Sequence, residues 1–191
     1  NTTGSAANVQ VVVAHYDGPD VRLKYVINSS TNALTAAEYA TSGGGLVVGP
    51  TIFGHAGSRS ATTAAAARLD DSANAETFSS RGPVTHYFGP VVDDTPAAAL
   101  VSADVISKPD IAGTDGDCTT FFYANEVVDP PTCPYRFFGT SAAAPNVGAV
   151  AALLSDANPA LTGAQLRTLI IDNAAAMAGG AQAVGAGLAD A

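Results

Sequence analysis

Small residues carry most of the apolar content of this chain, and that limits how its elements can pack. Hydrophobic residues make up 47% of the 191, yet aromatics reach only 7% and glycine numbers 19. Such a composition predicts closely spaced helices and strands joined by tight turns, rather than a core built on large rings. The length suffices for one domain with a sizeable buried core, and a charged content of 13% is unlike that of a disordered tail.

Charge narrows the partners. Eight basic residues against seventeen acidic ones give a net charge of −9, which argues against nucleic acid, whose phosphates need clustered Lys and Arg. The carboxylates are scattered and read as a solubility feature. No apolar run approaches the length of a membrane span. The chain opens at Asn1, without an initiator Met or a signal peptide, so it reads as an excerpt from a longer precursor or a chain cut at that point.

Cys118 and Cys133 lie in a loop rich in Pro and Gly. A metal site would need further Cys or His at short spacing. A disulfide is the simpler account, contributing about 3 kcal/mol by closing that loop; two reduced thiols are the alternative. Together with the few Lys, a disulfide points to secretion. Asn1-Thr2-Thr3 and Asn28-Ser29-Ser30 match the short N-glycosylation pattern.

Residues 9–16 and 21–27 alternate or are β-branched, with Asp17-Gly18-Pro19-Asp20 between them, and predict an antiparallel hairpin. Residues 28–32 are polar and mark a boundary or loop. Residues 46–53 are strand-like and are turned by Gly54-His55-Ala56-Gly57. The small-residue run 61–67 fits a buried strand or a helix equally well. Residues 84–105 contain several Pro and no sustained period, and predict a long surface loop.

Two helices are clearer. Val147, Val150, Ala151 and Leu154 form one apolar stripe, ending near Asn158-Pro159. The next helix starts at Thr162, with Gln165 completing a capping box and Leu161 and Leu166 a hydrophobic staple. Leu166, Leu169 and Ile170 are its expected buried face.

The first of these helices is entered through Gly139-Thr140-Ser141-Ala142-Ala143-Ala144-Pro145. A Ser at a helix N-terminus sits beside unpaired backbone N–H groups and the positive end of the dipole, which stabilise the oxyanion formed when it attacks a carbonyl. Ser is also among the commonest N-caps, so its own surroundings leave both roles open.

Other segments decide between them. This Gly-Thr-Ser segment, with its Ala, Pro and Ala-rich helix, resembles the serine motif of the subtilisin-like serine peptidases, the subtilases. Thr77-Phe78-Ser79-Ser80-Arg81-Gly82-Pro83 resembles the strand and turn upstream of that serine. Ser107-Lys108-Pro109-Asp110-Ile111-Ala112-Gly113 is similar to the family's "KPDI-A-G" segment, and Gly185-Ala186-Gly187-Leu188-Ala189-Asp190-Ala191 to the close of its domain. The motifs stand in family order and span about residues 51–191.

The resemblance implies an α/β fold, doubly wound with a mostly parallel sheet, and peptide-bond hydrolysis by a Ser-His-Asp triad. Ser141 would be the nucleophile, its own N–H one oxyanion donor, and Gly54 and His55 would line the pocket for the substrate side chain. Two departures are visible: Asn146 stands where the family usually has a non-catalytic His, and Ala142 where it often has Met.

Absences are larger. No Asp-Thr-Gly or Asp-Ser-Gly occurs, and Asp115-Gly116 comes too late in the order. His15, His55 and His86 all lack the context of the family's base, and Asn8, Asn28 and Asn32 that of its oxyanion donor. The expectation is therefore a chain holding residues 46–191 as the C-terminal part of a peptidase domain. Residues 1–45 would be the end of an inserted β-rich module with its linker, and Asp, His and the oxyanion Asn would lie upstream. Its partners would be a polypeptide substrate and the remainder of its own domain, without nucleic acid or membrane. No cofactor is expected, although structural calcium, common in the family, stays open without a residue to name. The alternative is a non-catalytic pseudopeptidase binding through the hairpin and the Pro-containing loop; an α/β-hydrolase is set aside, since the Gly-x-Ser-x-Gly elbow is lacking.

Overall fold

The computed structural model describes residues 12, 14–19, 50–120, 133 and 135–190. The chain divides into two compact units, Asn1–Thr35 and Ala36–Ala191. In the first, the chain bends at 17–19, where Gly18 has φ +98° and its N–H is accepted by Asp17 Oδ1 at 2.8 Å. The rest of the expected hairpin, the two glycosylation patterns and residues 46–49 lie outside the described residues.

The second unit is mixed α/β, as expected in outline. Its strands are β1 (Ala64–Arg68), β2 (Asp71–Ala75), β3 (Val84–Phe88), β4 (Ala99–Ile106), β5 (Ile111–Asp115), β6 (Asp117–Cys118) and β7 (Arg136–Phe137). Its helices are α1 (Thr140–Ala157), α2 (Gly163–Asp172) and the four-residue α3 (Ala181–Val184), with a 3-10 turn at Gly54–Gly57. A mixed sheet runs in the order β2-β1-β5, with β1 and β5 parallel and in register from Ala64↔Ile111 to Arg68↔Asp115. The β1/β2, β3/β4 and β6/β7 pairs are antiparallel.

The run 61–67 resolves into β1. Ala65, Ala66 and Ala67 are all buried, as befits a strand covered on both faces, where no polar alternation is needed. Because successive side chains point to opposite faces, Ala64 and Ile111 meet α1 and α2 through Val147 and Ile170, whereas Ala65, Ala67 and Ala112 meet Met177 and Leu188. The sheet is thus packed on both faces.

Three expectations fail locally. Residues 84–105 form no long loop: β3 and β4 pair within them, with Val84 opposite Ile106, and Val84, Ile106 and Ile52 make a small core. Pro90 and Pro96 sit in the connection between these strands and punctuate a hairpin rather than preclude one. Residues 50–53 form no strand; the amides of Thr51 and Ile52 share one acceptor, Arg81 O, instead of a ladder. In α2, Ile170 is buried and Leu166 half-buried, but Leu169 faces outward.

Both helix starts follow local chemistry. Thr162 caps α2 with the full box, Thr162 N–H donating to Gln165 Oε1 (2.8 Å) and Gln165 N–H to Thr162 Oγ1 (3.3 Å). Helix α1 is capped by Gly139, without a side chain, and closes at Asn158. It lies so near β5 that a Cβ on Gly113 would overlap Ala143 O and stand 2.8 Å from Val147 Cγ2. Gly113→Ala is therefore expected to destabilise by about 1–3 kcal/mol through overpacking. Gly163→Ala, exposed and with nothing within 4 Å of its new Cβ, should be neutral or stabilise by up to about 1 kcal/mol. Thermal unfolding of the two variants checks the contrast.

Candidate functional site

The four sequence motifs, far apart along the chain, converge on β5. Gly82 lies against Lys108, where a Cβ would come within 2.7 Å of Lys108 C. Gly185, with φ +64°, lies against Asp110 and would bring a Cβ to 2.5 Å from Ile111 N. Ala112 N–H is accepted by Gly187 O (2.7 Å) and Ala189 N–H by Ala112 O (2.8 Å). Ser79, buried, takes the Ala66 N–H on its Oγ at 2.8 Å and so fixes the 77–83 segment to β1.

Lys108, 1% exposed, donates from Nζ to Asp110 Oδ2 and to Ala61 O, both at 2.6 Å. Asp110 Oδ2 also accepts the Thr63 N–H at 2.7 Å, and Arg167 of α2 donates to its other oxygen. This ion-paired group, with Lys108 and Asp110 buried, ties the 61–63 segment, the start of β5 and α2 together. The role of Lys108 and Asp110 is structural, because every polar atom of the pair is spent on the fold.

Ser141 is the second residue of α1, two past the cap, so it is not the N-cap that its sequence context allowed. Gly139 holds that position at φ 117°, ψ 163°, a conformation that only glycine adopts without strain. Its carbonyl accepts the N–H groups of Ala142 (2.8 Å) and Ala143 (3.2 Å). The amides of Thr140 and Ser141 have no backbone acceptor among the described residues, which is the ordinary state of a first helical turn. Pro145 has no N–H to give to the Ser141 carbonyl four residues earlier. The Ser141 side chain itself is exposed. The site thus offers a hydroxyl and free backbone donors on one accessible turn, a pattern suited to attack on a carbonyl and to holding the resulting oxyanion.

One side chain of the sheet grips this turn, and one side chain of α1 ties the helix back to the strands. Asp115, at the end of β5 and 0% exposed, accepts the Gly139 N–H on Oδ2 at 2.7 Å, while its Oδ1 is buried and has no partner among the described residues. Asn146, one turn beyond Ser141, donates from Nδ2 to Thr114 O (2.9 Å) and to Asp117 Oδ2. The family's His position therefore serves here as a tether. Phe138 stacks under the Arg68 guanidinium, 5.1 Å from ring centroid to cation. Next to it the Cys118–Cys133 disulfide is formed, with a Cα–Cα distance of 5.3 Å, beside the β6/β7 pair.

The other expected site residues lie elsewhere. Gly54 and His55 are exposed on the 3-10 turn, whose last residue, Gly57, packs on Val84 and His86. His86 stands opposite Asp104 in the β3/β4 register, and Arg59 bridges that carboxylate. His15 belongs to the other unit. Among the described residues no group of three or more His, Cys, Asp or Glu is arranged to hold a metal ion. The buried carboxylate of Asp110 is already occupied by Lys108 and Arg167.

Asp115 escaped sequence reasoning, which weighed it only as a misplaced triad member. Burial pushes its carboxyl above the usual range, against the lowering effect of the Gly139 N–H, with Asp117 and Asp70 raising it and Arg68 lowering it. Glu76 is raised for the same first reason, and by Asp115 second. A carboxyl raised by folding is easier to keep neutral in the native state, so stability falls as pH climbs from the ordinary value of 3.8 through the raised one. Asp115→Asn lacks that loss. Its melting temperature should gain on the wild type between acid and neutral pH, and a difference independent of pH would contradict the assignment.

A model of the subtilase family matches residues 5–187, a span wider than the stretch carrying the four motifs. No curated protein and no solved structure matches the chain. A match over nearly the whole length, joined to motifs that meet on a single strand, identifies its kinship: the chain belongs to the subtilase family of serine peptidases.

Proposed function

We propose that these residues form the serine-bearing part of the peptidase domain of a secreted endopeptidase, with Ser141 as the nucleophile. The observation that carries this reading is the exposed Ser141 on a helix turn where the amides of Thr140 and Ser141 have no backbone acceptor among the described residues. In the reaction Oγ attacks the peptide carbonyl carbon and gives up its proton to a base. The carbonyl oxygen becomes the oxyanion and is met by the Ser141 N–H, and the amine departs with a proton as the acyl-enzyme forms. Water then releases the acid product by the reverse sequence. Gly54 and His55 are the proposed wall of the pocket for the side chain before the scissile bond.

The base, the carboxylate that orients it and the side-chain oxyanion donor are assigned to sequence upstream. Helix α1 supports this. Apart from a few polar residues it is apolar all round, yet only Ala142, Ala143 and Val147 are buried, and Leu153 is 64% exposed. A helix of this kind belongs inside a larger core, so the remainder of the peptidase domain is its proposed cover. The disulfide supports secretion. No helix among the described residues is long and apolar enough to cross a membrane.

The second reading, a pseudopeptidase acting as a binding module, draws on the β3–β4 hairpin, where Phe88, Val91, Val92, Val101 and Val105 are exposed. One experiment separates the two. A fluorophosphonate should label Ser141 in the full-length protein, and Ser141→Ala should abolish both labelling and peptide hydrolysis. The 191-residue chain alone should hydrolyse no peptide. An unlabelled full-length protein favours the pseudopeptidase, and activity of the 191-residue chain overturns the upstream assignment.

A further inference from the structure

The grip of Asp115 on the serine turn is one-sided in a way that packing alone does not explain. Its Oδ2 holds the Gly139 N–H at 2.7 Å, but Oδ1 is buried and has no partner among the described residues. A bare buried carboxylate oxygen weakens the fold, and groups that cost stability concentrate where geometry must be held for function. What it holds is the backbone hinge of the site. At Gly139 the chain leaves an extended path for α1, with no side-chain cap to set the angle.

We propose that Asp115 is a positioning residue for Ser141, fixing the Gly139 amide and thereby the direction in which α1 presents the Ser141 hydroxyl and the adjoining N–H groups. This rests on the reading of Ser141 as nucleophile and extends it to a residue that never meets the substrate. The remaining anchors act at other points: Arg68 at Phe138, Gly113 at Ala143, and Asn146 through Thr114 and Asp117. Among the described residues, the Asp115 contact is the side-chain one that falls on the cap itself. The charged groups around it are Glu76, Asp117, Asp70 and Arg68.

The test uses the full-length protein and two substitutions. Asp115→Leu keeps a comparable volume and removes the acceptor; Asp115→Asn keeps a carbonyl oxygen for the Gly139 amide and removes the charge. The readouts are the rate constant for fluorophosphonate labelling of Ser141, taken per molecule folded by circular dichroism, and kcat and KM on a peptide substrate. Asp115→Leu should lower labelling and kcat by about ten- to a hundred-fold with KM little changed, as for a nucleophile displaced by a fraction of an ångström to about 1 Å. Asp115→Asn should recover most of both. A purely structural role would lower the melting temperature of Asp115→Leu and leave the folded fraction fully reactive, and that result overturns the proposal. If Asp115→Leu does not fold, Asp115→Ala decides on the same readouts: a fall of about ten-fold or more per folded molecule supports the proposal, and labelling at the wild-type rate overturns it. A wild type that is not labelled at Ser141 overturns the nucleophile reading and this assignment with it. Wild-type labelling matched by Asp115→Leu overturns this assignment alone.

Discussion

Two buried carboxylates bracket β5, and they are balanced in opposite ways. Asp110, just before the strand, receives Lys108, Arg167 and a backbone amide, so its charge is neutralised where it lies. Asp115, at the other end, receives a single amide. The first arrangement holds the sheet to α2 and the 61–63 segment; the second holds the sheet to the turn carrying Ser141. In a chain with so few charges, placing two of them in the interior at the ends of one strand makes that strand the reference for the rest.

The same strand explains the glycines. Gly113, Gly82 and Gly185 each let a neighbour approach β5 more closely than any Cβ would allow. Gly139 differs from them: a Cβ there would make only an ordinary contact, 3.6 Å from Ser141 N, and glycine is required instead by the backbone angles. Close approach fits the small-residue composition. Helix α1 meets β5 through Ala143 and Val147 rather than through rings, and the offset between them is correspondingly short. A serine on the first turn of such a helix inherits its position from the strand, not from its own side-chain contacts.

Much of this was legible in the residues. The apolar stripe of α1 and the Thr162–Gln165 box are local signals, and local signals survive folding. The four motifs carried the family and named Ser141. The alanine run of β1 could not declare itself, because alanine suits both periods and only its pairing with β5 decides. The β3–β4 hairpin was hidden by Pro90 and Pro96, which interrupt the pattern between the strands rather than within them. Ser141 could not be told from an N-cap by its own surroundings, since the glycine that does cap α1 leaves no side-chain signature. Asp115 could not be read at all: what makes it special is its burial under Gly139, 24 residues away. No spacing rule reports a tertiary contact of that length.

The disulfide has a topological consequence for how the chain would respond to a cut. Cys118 precedes the serine turn and Cys133 adjoins β7, so the bond closes a ring around residues 119–132. One cut anywhere in that ring leaves a two-chain molecule instead of two fragments. Residues up to the cut, β5 with its carboxylates among them, stay covalently joined to the helix that bears Ser141. Such a nicked form migrates as one species until it is reduced, and the parts that position the serine are never released from one another.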